Sequence, residues 1–253
     1  EETGTGPLGA VILHGLFGMG RNWATIAKAL SETYRVLTLD LRNHGASPWD
    51  DVMDYPLMAG DVAKLIETQF AGPVAVIGHS MGGKAAMALA CERPSLVERL
   101  CVVDIAPVSY DHSFDAHLNV MADMNTKALT RRTDAEAIIA NAIDDHPTAQ
   151  FLSRNLKRAD DGHGLEWQIN VAAIAANMDD IIDFPTPQAN QAYEAPTLFL
   201  LGGTSNYVQS SHMGEIDRLF PNAKTEVIPG AGHWLHAEKP AEVTAALRTF
   251  LEV

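Results

Sequence analysis

The sequence predicts an α/β protein: a mostly parallel central sheet flanked by helices, interrupted by a mainly helical insertion. Three observations lead there. Short apolar runs alternate with helix-patterned stretches, the alternation stops after Asp104, and it resumes at Pro196. Strand followed by helix at this rhythm is the pattern of stacked βαβ units.

Taken in order, apolar runs at 10–13, 36–39 and 74–77 read as buried strands, followed by helix patterns at 23–30, 58–70 and 85–90. A further strand is expected at 100–103. From about Tyr110 to Tyr193 the chain reads mainly as helices, for example 135–143 and 171–178, with a turn signal at Asp161-Gly162-His163-Gly164. The alternation returns with a strand at 196–201, a helix near 211–220, a strand at 223–228 and a closing helix at 241–251. Pro185-Thr186-Pro187 and Pro196 mark the return of the insertion. The expected organisation is one core formed by residues 1–109 and 188–253, with residues 110–187 as a cap.

At 253 residues the chain is long enough for a large core, and α/β folds of this length are commonly one domain. Eighteen basic residues against 32 acidic ones give a formal charge of -14. Such a balance repels a phosphate backbone and argues against a nucleic-acid partner. No run of apolar residues is long enough to span a bilayer. Cys91 and Cys101 read as buried small hydrophobes rather than a disulfide or metal pair, which points to a reduced, cytoplasmic setting. The composition leaves the oligomeric state open.

Chemistry enters at Gly78-His79-Ser80-Met81-Gly82, a G-x-S-x-G motif between the apolar run 74–77 and a helix pattern. That strand, turn and helix context is what makes the motif a nucleophile elbow. Serine in such a turn sits in a strained conformation, and its flanks pack closely only without a Cβ. Serine also needs a base to take its proton. His233, in Gly230-Ala231-Gly232-His233-Trp234 after the last strand, is the expected base; His236, beyond the glycines, is held in reserve. An oxyanion would need two backbone N–H donors. One is expected from Met81, following the serine; the other from the loop His14-Gly15-Leu16-Phe17-Gly18, with Leu16 first and Phe17 next. Phe17 and Trp234 are also expected to touch substrate.

The chain resembles the α/β-hydrolases, and within them the bacterial esterases akin to the α/β-hydrolase domain-containing protein 11 group. The resemblance rests on the segments just quoted together with Asp40-Leu41-Arg42-Asn43-His44-Gly45-Ala46-Ser47-Pro48, Gly82-Gly83-Lys84, Asp104-Ile105-Ala106-Pro107 and Leu235-His236-Ala237-Glu238-Lys239-Pro240. It implies an α/β-hydrolase fold with a cap after the sixth strand of that fold, and a Ser-His-Asp triad. The superfamily usually carries its acid after the strand that follows the cap, in Gly, two residues, Asp; here Gly202-Gly203-Thr204-Ser205 puts Ser205 in that slot. A hydroxyl does not stabilise an imidazolium as a buried carboxylate does. Asp104, ending the strand expected at 100–103, is therefore the expected acid, as the subgroup implies, and Ser205 an assistant. By position alone, Asp104 could equally cap nearby backbone N–H groups.

Asp40 and His44 lie close in sequence but belong to a loop that is structural in relatives, and Lys84 reads as a packed stem with a hydrogen-bonded head. No metal-ligand spacing is present, and Gly4-Thr5-Gly6 follows no strand, so neither metal nor dinucleotide is expected as cofactor. The expected reaction is hydrolysis of a small-molecule acyl ester or thioester, the resemblance implying short- to medium-chain acyl esters or acyl-coenzyme A thioesters without ranking them. The cap residues Phe114, Leu118, Met121, Met124 and Leu129 could line an acyl pocket or hold the cap together. Rival readings are another serine-dependent hydrolase acting on a carbon–carbon or proline-type peptide bond, or a non-catalytic ligand-binding relative.

Overall fold

The computed structural model describes residues 1–185 and 191–252. Thr186 and Pro187 of the expected linker, and the expected boundary between cap and core at 187/188, lie outside the described residues.

The sheet is built from β1 (Glu2–Thr3), β2 (Leu8–Leu13), β3 (Tyr34–Leu39), β4 (Val74–His79), β5 (Val97–Val103), β8 (Thr197–Gly202) and β9 (Ala223–Ile228). Their spatial order is β1-β3-β2-β4-β5-β8-β9, and all pairings are parallel except that of β1 with β3. The expected α/β architecture is therefore present. The two-residue β1 has no length in which a pattern could show, and it adds an antiparallel edge that sequence reasoning did not foresee. The insertion follows β5, the fifth strand in chain order among the described residues.

Alternation along each strand sorts side chains to the two faces. Val11, Leu13, Val74, Val76, Leu100 and Val102 point into one core with α2 (Tyr55–Gln69) and α3 (Met81–Glu92). Their neighbours Ala10, Ile12, Ala75, Ile77, Cys101 and Val103 point into a second core with α1 (Ala24–Leu30) and the closing helix Pro240–Leu251. A strand covered on both faces has no polar side to show, which is why β4 is buried throughout. α2 starts where it does because the Asp54 carboxylate accepts the Leu57 N–H at 2.8 Å and Pro56 follows in the first turn.

Between β5 and β8 lie α4 (Asp115–Asp123), α5 (Arg132–Ile143), α6 (His146–Ser153), α7 (Val171–Ala176) and α8 (Met178–Ile182). The helix expected at 171–178 ends at Ala176, where the Asn177 amide donates both to the Ala173 carbonyl at 2.7 Å and to the Asp51 carbonyl at 2.8 Å and accepts the Met53 N–H at 3.2 Å. The turn signal at 161–164 proves to be a hairpin joining β6 (Leu156–Arg158) and β7 (Leu165–Trp167). Strands of three residues are too short for their period to be read against a helical background. Cys91 and Cys101 are buried free thiols.

Candidate active site

The elbow is visible in the backbone of Ser80, which has φ 52° and ψ -120° between β4 and α3. The flanking glycines are required by close approach: a Cβ on Gly78 would stand 2.3 Å from the Gly82 carbonyl oxygen, and one on Gly82 2.4 Å from that of His14. A side chain at either position would push the strand and helix apart and lower the serine from the sheet edge.

Three loops at the carboxyl ends of the strands converge beside it. Asp104, buried and at φ 54°, ends β5. Its Oδ2 receives the Nδ1–H of His233 at 2.7 Å and the hydroxyl of Ser205 at 2.5 Å, and its Oδ1 the Gly202 N–H at 2.9 Å. Asp104 thus accepts from three donors. A proton held on Nδ1 leaves Nε2 of His233 free to accept one. The loops after β8 and β9 are pressed together, a Cβ on Gly202 meeting the Gly232 carbonyl at 2.2 Å, and that contact carries Ser205 and His233 to the same carboxylate.

Sequence reasoning missed the supports of His233. Glu238 closes its loop by accepting the Gly232 and Trp234 N–H groups at 2.6 and 3.2 Å. His79, the residue before Ser80, donates from Nε2 to the His233 carbonyl at 2.8 Å. Burial holds the His79 pKa well below its ordinary value, so this donor is a neutral imidazole. Tyr207 stacks on the His233 ring with centroids 3.6 Å apart. Glu238 lay in a quoted motif, but nothing in the sequence tied Tyr207 or His79 to the histidine.

Opposite these loops, His14 and His44 shape the turn that carries Leu16 and Phe17. The His14 Nδ1–H donates to the Gly15 carbonyl at 2.8 Å while its Nε2 accepts the Leu41 N–H at 3.0 Å. His44 does the same one loop away, donating to the Arg42 carbonyl at 2.9 Å and accepting the Phe17 N–H at 3.2 Å. Burial, reinforced by His14, pulls the His44 pKa down to about 3, so it is neutral and a competent acceptor. Phe17 N–H is therefore engaged. Among the described residues the N–H groups of Leu16 and Met81 are not. Asp40 is structural as expected, its carboxylate accepting the Gly20 and Ala46 N–H groups at 2.8 Å each.

Ser80, His233, Leu16, Phe17 and Trp234 all line one cavity of about 300 Å³. Among the described residues the Ser80 hydroxyl has no hydrogen-bond partner; contacts of this kind commonly tighten only in the substrate complex. The insertion closes the cavity with Phe114, His117, Phe151 and Leu152. Of the five apolar residues considered for an acyl pocket, only Phe114 reaches it. Leu118 and Met121 are buried in the main core, and Met124 and Leu129 pack on a small cluster of Ala135, Leu156 and Leu165. Lys84, buried, donates to the Ile182 and Asp183 carbonyls at 2.7 Å, tying the helix behind Ser80 to the end of α8. Burial lowers its pKa to about 7.

A family model described as the alpha/beta hydrolase fold matches residues 11–240. The chain belongs to the α/β-hydrolase family. This hydrolase is 41% identical over 250 residues to the sn-1-specific diacylglycerol lipase ABHD11 of Danio rerio, covering 96% of this chain and 78% of that protein. It is 37% identical over 246 residues to esterase YbfF of Escherichia coli, covering 95% and 92% of the two chains. Among solved structures, a marine microorganism esterase superposes with a TM-score of 0.94 at 36% identity over 99% of the hydrolase and 97% of its own chain. In the hydrolase, no helix among the described residues is long and apolar enough to cross a membrane.

Proposed function

We propose that this hydrolase cleaves short- to medium-chain carboxylic esters, and thioesters of the same acyl groups, through an acyl-enzyme on Ser80. The observation that carries the reading is the 2.7 Å contact of His233 Nδ1 with the buried carboxylate of Asp104, facing the cavity into which the elbow offers Ser80. In this reading His233 takes the Ser80 proton as Oγ attacks the carbonyl. Asp104 stabilises the imidazolium, and Ser205 shares the Asp104 oxygen that holds it. The Leu16 and Met81 N–H groups receive the oxyanion. His233 then returns the proton to the leaving alcohol or thiol, and water repeats the sequence to release the acid.

Residues 110–187 act as the cap, and Phe17 and Trp234 contact the substrate from the core side. A cavity of about 300 Å³ suits an acyl chain of modest length. Relatives named esterase or diacylglycerol lipase support the reaction class. The test is hydrolysis of p-nitrophenyl esters from acetate to palmitate beside Ser80→Ala. Activity that peaks at short or medium length and vanishes in the variant is expected. Equal rates in both proteins would overturn the reading.

A further inference from the structure

The hydrolase has eleven arginines, and seven of them pair with a carboxylate, as expected of a chain with a charge of -14. The other four, Arg21, Arg132, Arg154 and Arg158, have no carboxylate partner among the described residues. They are not scattered. Arg21, Arg132 and Arg154 line one groove of about 650 Å³, and Arg158 joins Arg21 and Arg132 around an adjoining depression of about 390 Å³.

That groove is continuous with the Ser80 cavity, because Asn22, Phe151, Trp234 and His236 line both. The arginines reach it from separate elements. Arg21 follows the loop that bears Leu16, Arg132 opens α5, and Arg154 ends α6. Arg21 also donates to the Arg154 carbonyl at 2.8 Å, which holds the two beside each other across the mouth. One carboxylate, Glu136, lies in the groove, and Lys157 in the depression is already paired with Asp160 and Glu166. Unpaired guanidinium groups gathered at the exit of a site, on a protein that otherwise repels anions, form a local well for negative charge. Their planar forks match phosphate oxygens.

We infer that this groove is a subsite for a phosphate-bearing leaving group, so that the preferred ester or thioester joins an acyl chain in the cavity to a phosphorylated alcohol or thiol lying over Arg21, Arg132 and Arg154. The inference rests on the serine-hydrolase reading above. The carbonyl sits at Ser80, the acyl chain fills the closed end under Phe114 and Leu152, and the leaving group passes over the rim at Asn22 and Trp234. The charge acts on capture: it raises kcat/KM mainly through KM, and salt weakens it.

The test compares substrates with one acyl group and leaving groups differing in phosphate: 1-butyryl-glycerol against 1-butyryl-glycerol 3-phosphate, and p-nitrophenyl butyrate against butyryl-coenzyme A. Wild type is set beside the double variants Arg132→Gln/Arg154→Gln and Arg132→Glu/Arg154→Glu. The ratio of kcat/KM for phosphorylated over unphosphorylated substrate should fall about fivefold in the Gln pair and more than about thirtyfold in the Glu pair, through KM. A fall in both substrate pairs marks a general phosphate subsite, and a fall in one names the source of the phosphate. Ratios equal in all three proteins overturn the subsite. Calorimetric binding of butyryl-coenzyme A and of 1-butyryl-glycerol 3-phosphate to Ser80→Ala, with and without the Glu pair, gives a readout that needs no turnover. Unchanged affinity for both ligands there overturns the subsite too. Hydrolysis by Ser80→Ala at the wild-type rate would instead sink the serine reading and leave these binding ratios standing as the measure of the groove.

Discussion

The phenol ring of Tyr207 lies face to face with the imidazole of His233, centroids 3.6 Å apart and planes 12° from parallel. On its other face Tyr207 carries His112, from the segment leading into the cap, at 4.8 Å and 24°. The backbone beneath is fixed, since the Tyr207 carbonyl accepts the Tyr110 hydroxyl at 2.7 Å and that hydroxyl accepts the Ala106 N–H at 2.9 Å. An aromatic face stabilises a cation more than a neutral ring. Tyr207 thus stands where it would favour the imidazolium formed during proton transfer.

Replacing Tyr207 by leucine should lower kcat by about tenfold with a smaller change in KM, while phenylalanine, which keeps the ring, should restore most of it. Steady-state kinetics on one p-nitrophenyl ester would check both. A leucine variant as fast as wild type would remove Tyr207 from the account.

Asp104→Asn should cost about 10³ to 10⁴ in kcat with the fold retained, because an amide cannot hold the proton on Nδ1 and stabilise the imidazolium. Ser205→Ala removes one hydrogen bond to a carboxylate that keeps two other donors, and should cost about tenfold. Kinetics with matched circular dichroism would separate the two. A larger loss at Ser205 than at Asp104 would reverse the assignment.

His44→Ala leaves the Phe17 N–H and the Arg42 carbonyl without their partner in a buried loop. A loss of about 1–3 kcal/mol in urea unfolding is expected, together with a fall in kcat as the Leu16 turn loosens. Stability lost without any change in kcat would show that the turn does not depend on His44.

Burial lowers the pKa of His14, His44, His79 and His236, the last to about 4. Each is neutral in the fold yet protonates near the ordinary 6.5 when unfolded, so the unfolded chain binds more protons below that pH. Stability should hold above pH 6.5 and fall as pH drops from there toward 4. His236 stacks on Trp23 at 4.5 Å, and phenylalanine can keep that contact without titrating. His236→Phe should flatten the fall between pH 6.5 and 5 by about 1–2 kcal/mol, read from Tm against pH. Parallel curves would contradict this.

What was legible in the sequence was what local context determines. Ser80 could be read because its motif, strand and helix are contiguous, and His233 because glycines and a preceding strand surround it. Asp104 became readable only through Ser205 standing in another residue's slot. Tyr207 and His79 take their roles from packing between loops far apart in the chain, as does the 129-residue separation bridged by Asp104 and His233, whereas Glu238 acts on Gly232 and Trp234 of its own loop. The β6–β7 hairpin and the break at Asn177 escaped for a different reason: three-residue strands carry no period, and a side-chain bond to a distant loop accompanies the end of a helix that its own pattern would continue.

The most direct test of the central claim is covalent: treat the protein with a fluorophosphonate and map the adduct by peptide mass spectrometry, with His233→Ala and Ser80→Ala alongside. The account predicts one adduct, on Ser80, formed at least about 10³ times more slowly without His233 and absent from Ser80→Ala. An adduct on another residue, or labelling of Ser80 at an unchanged rate without His233, would contradict it.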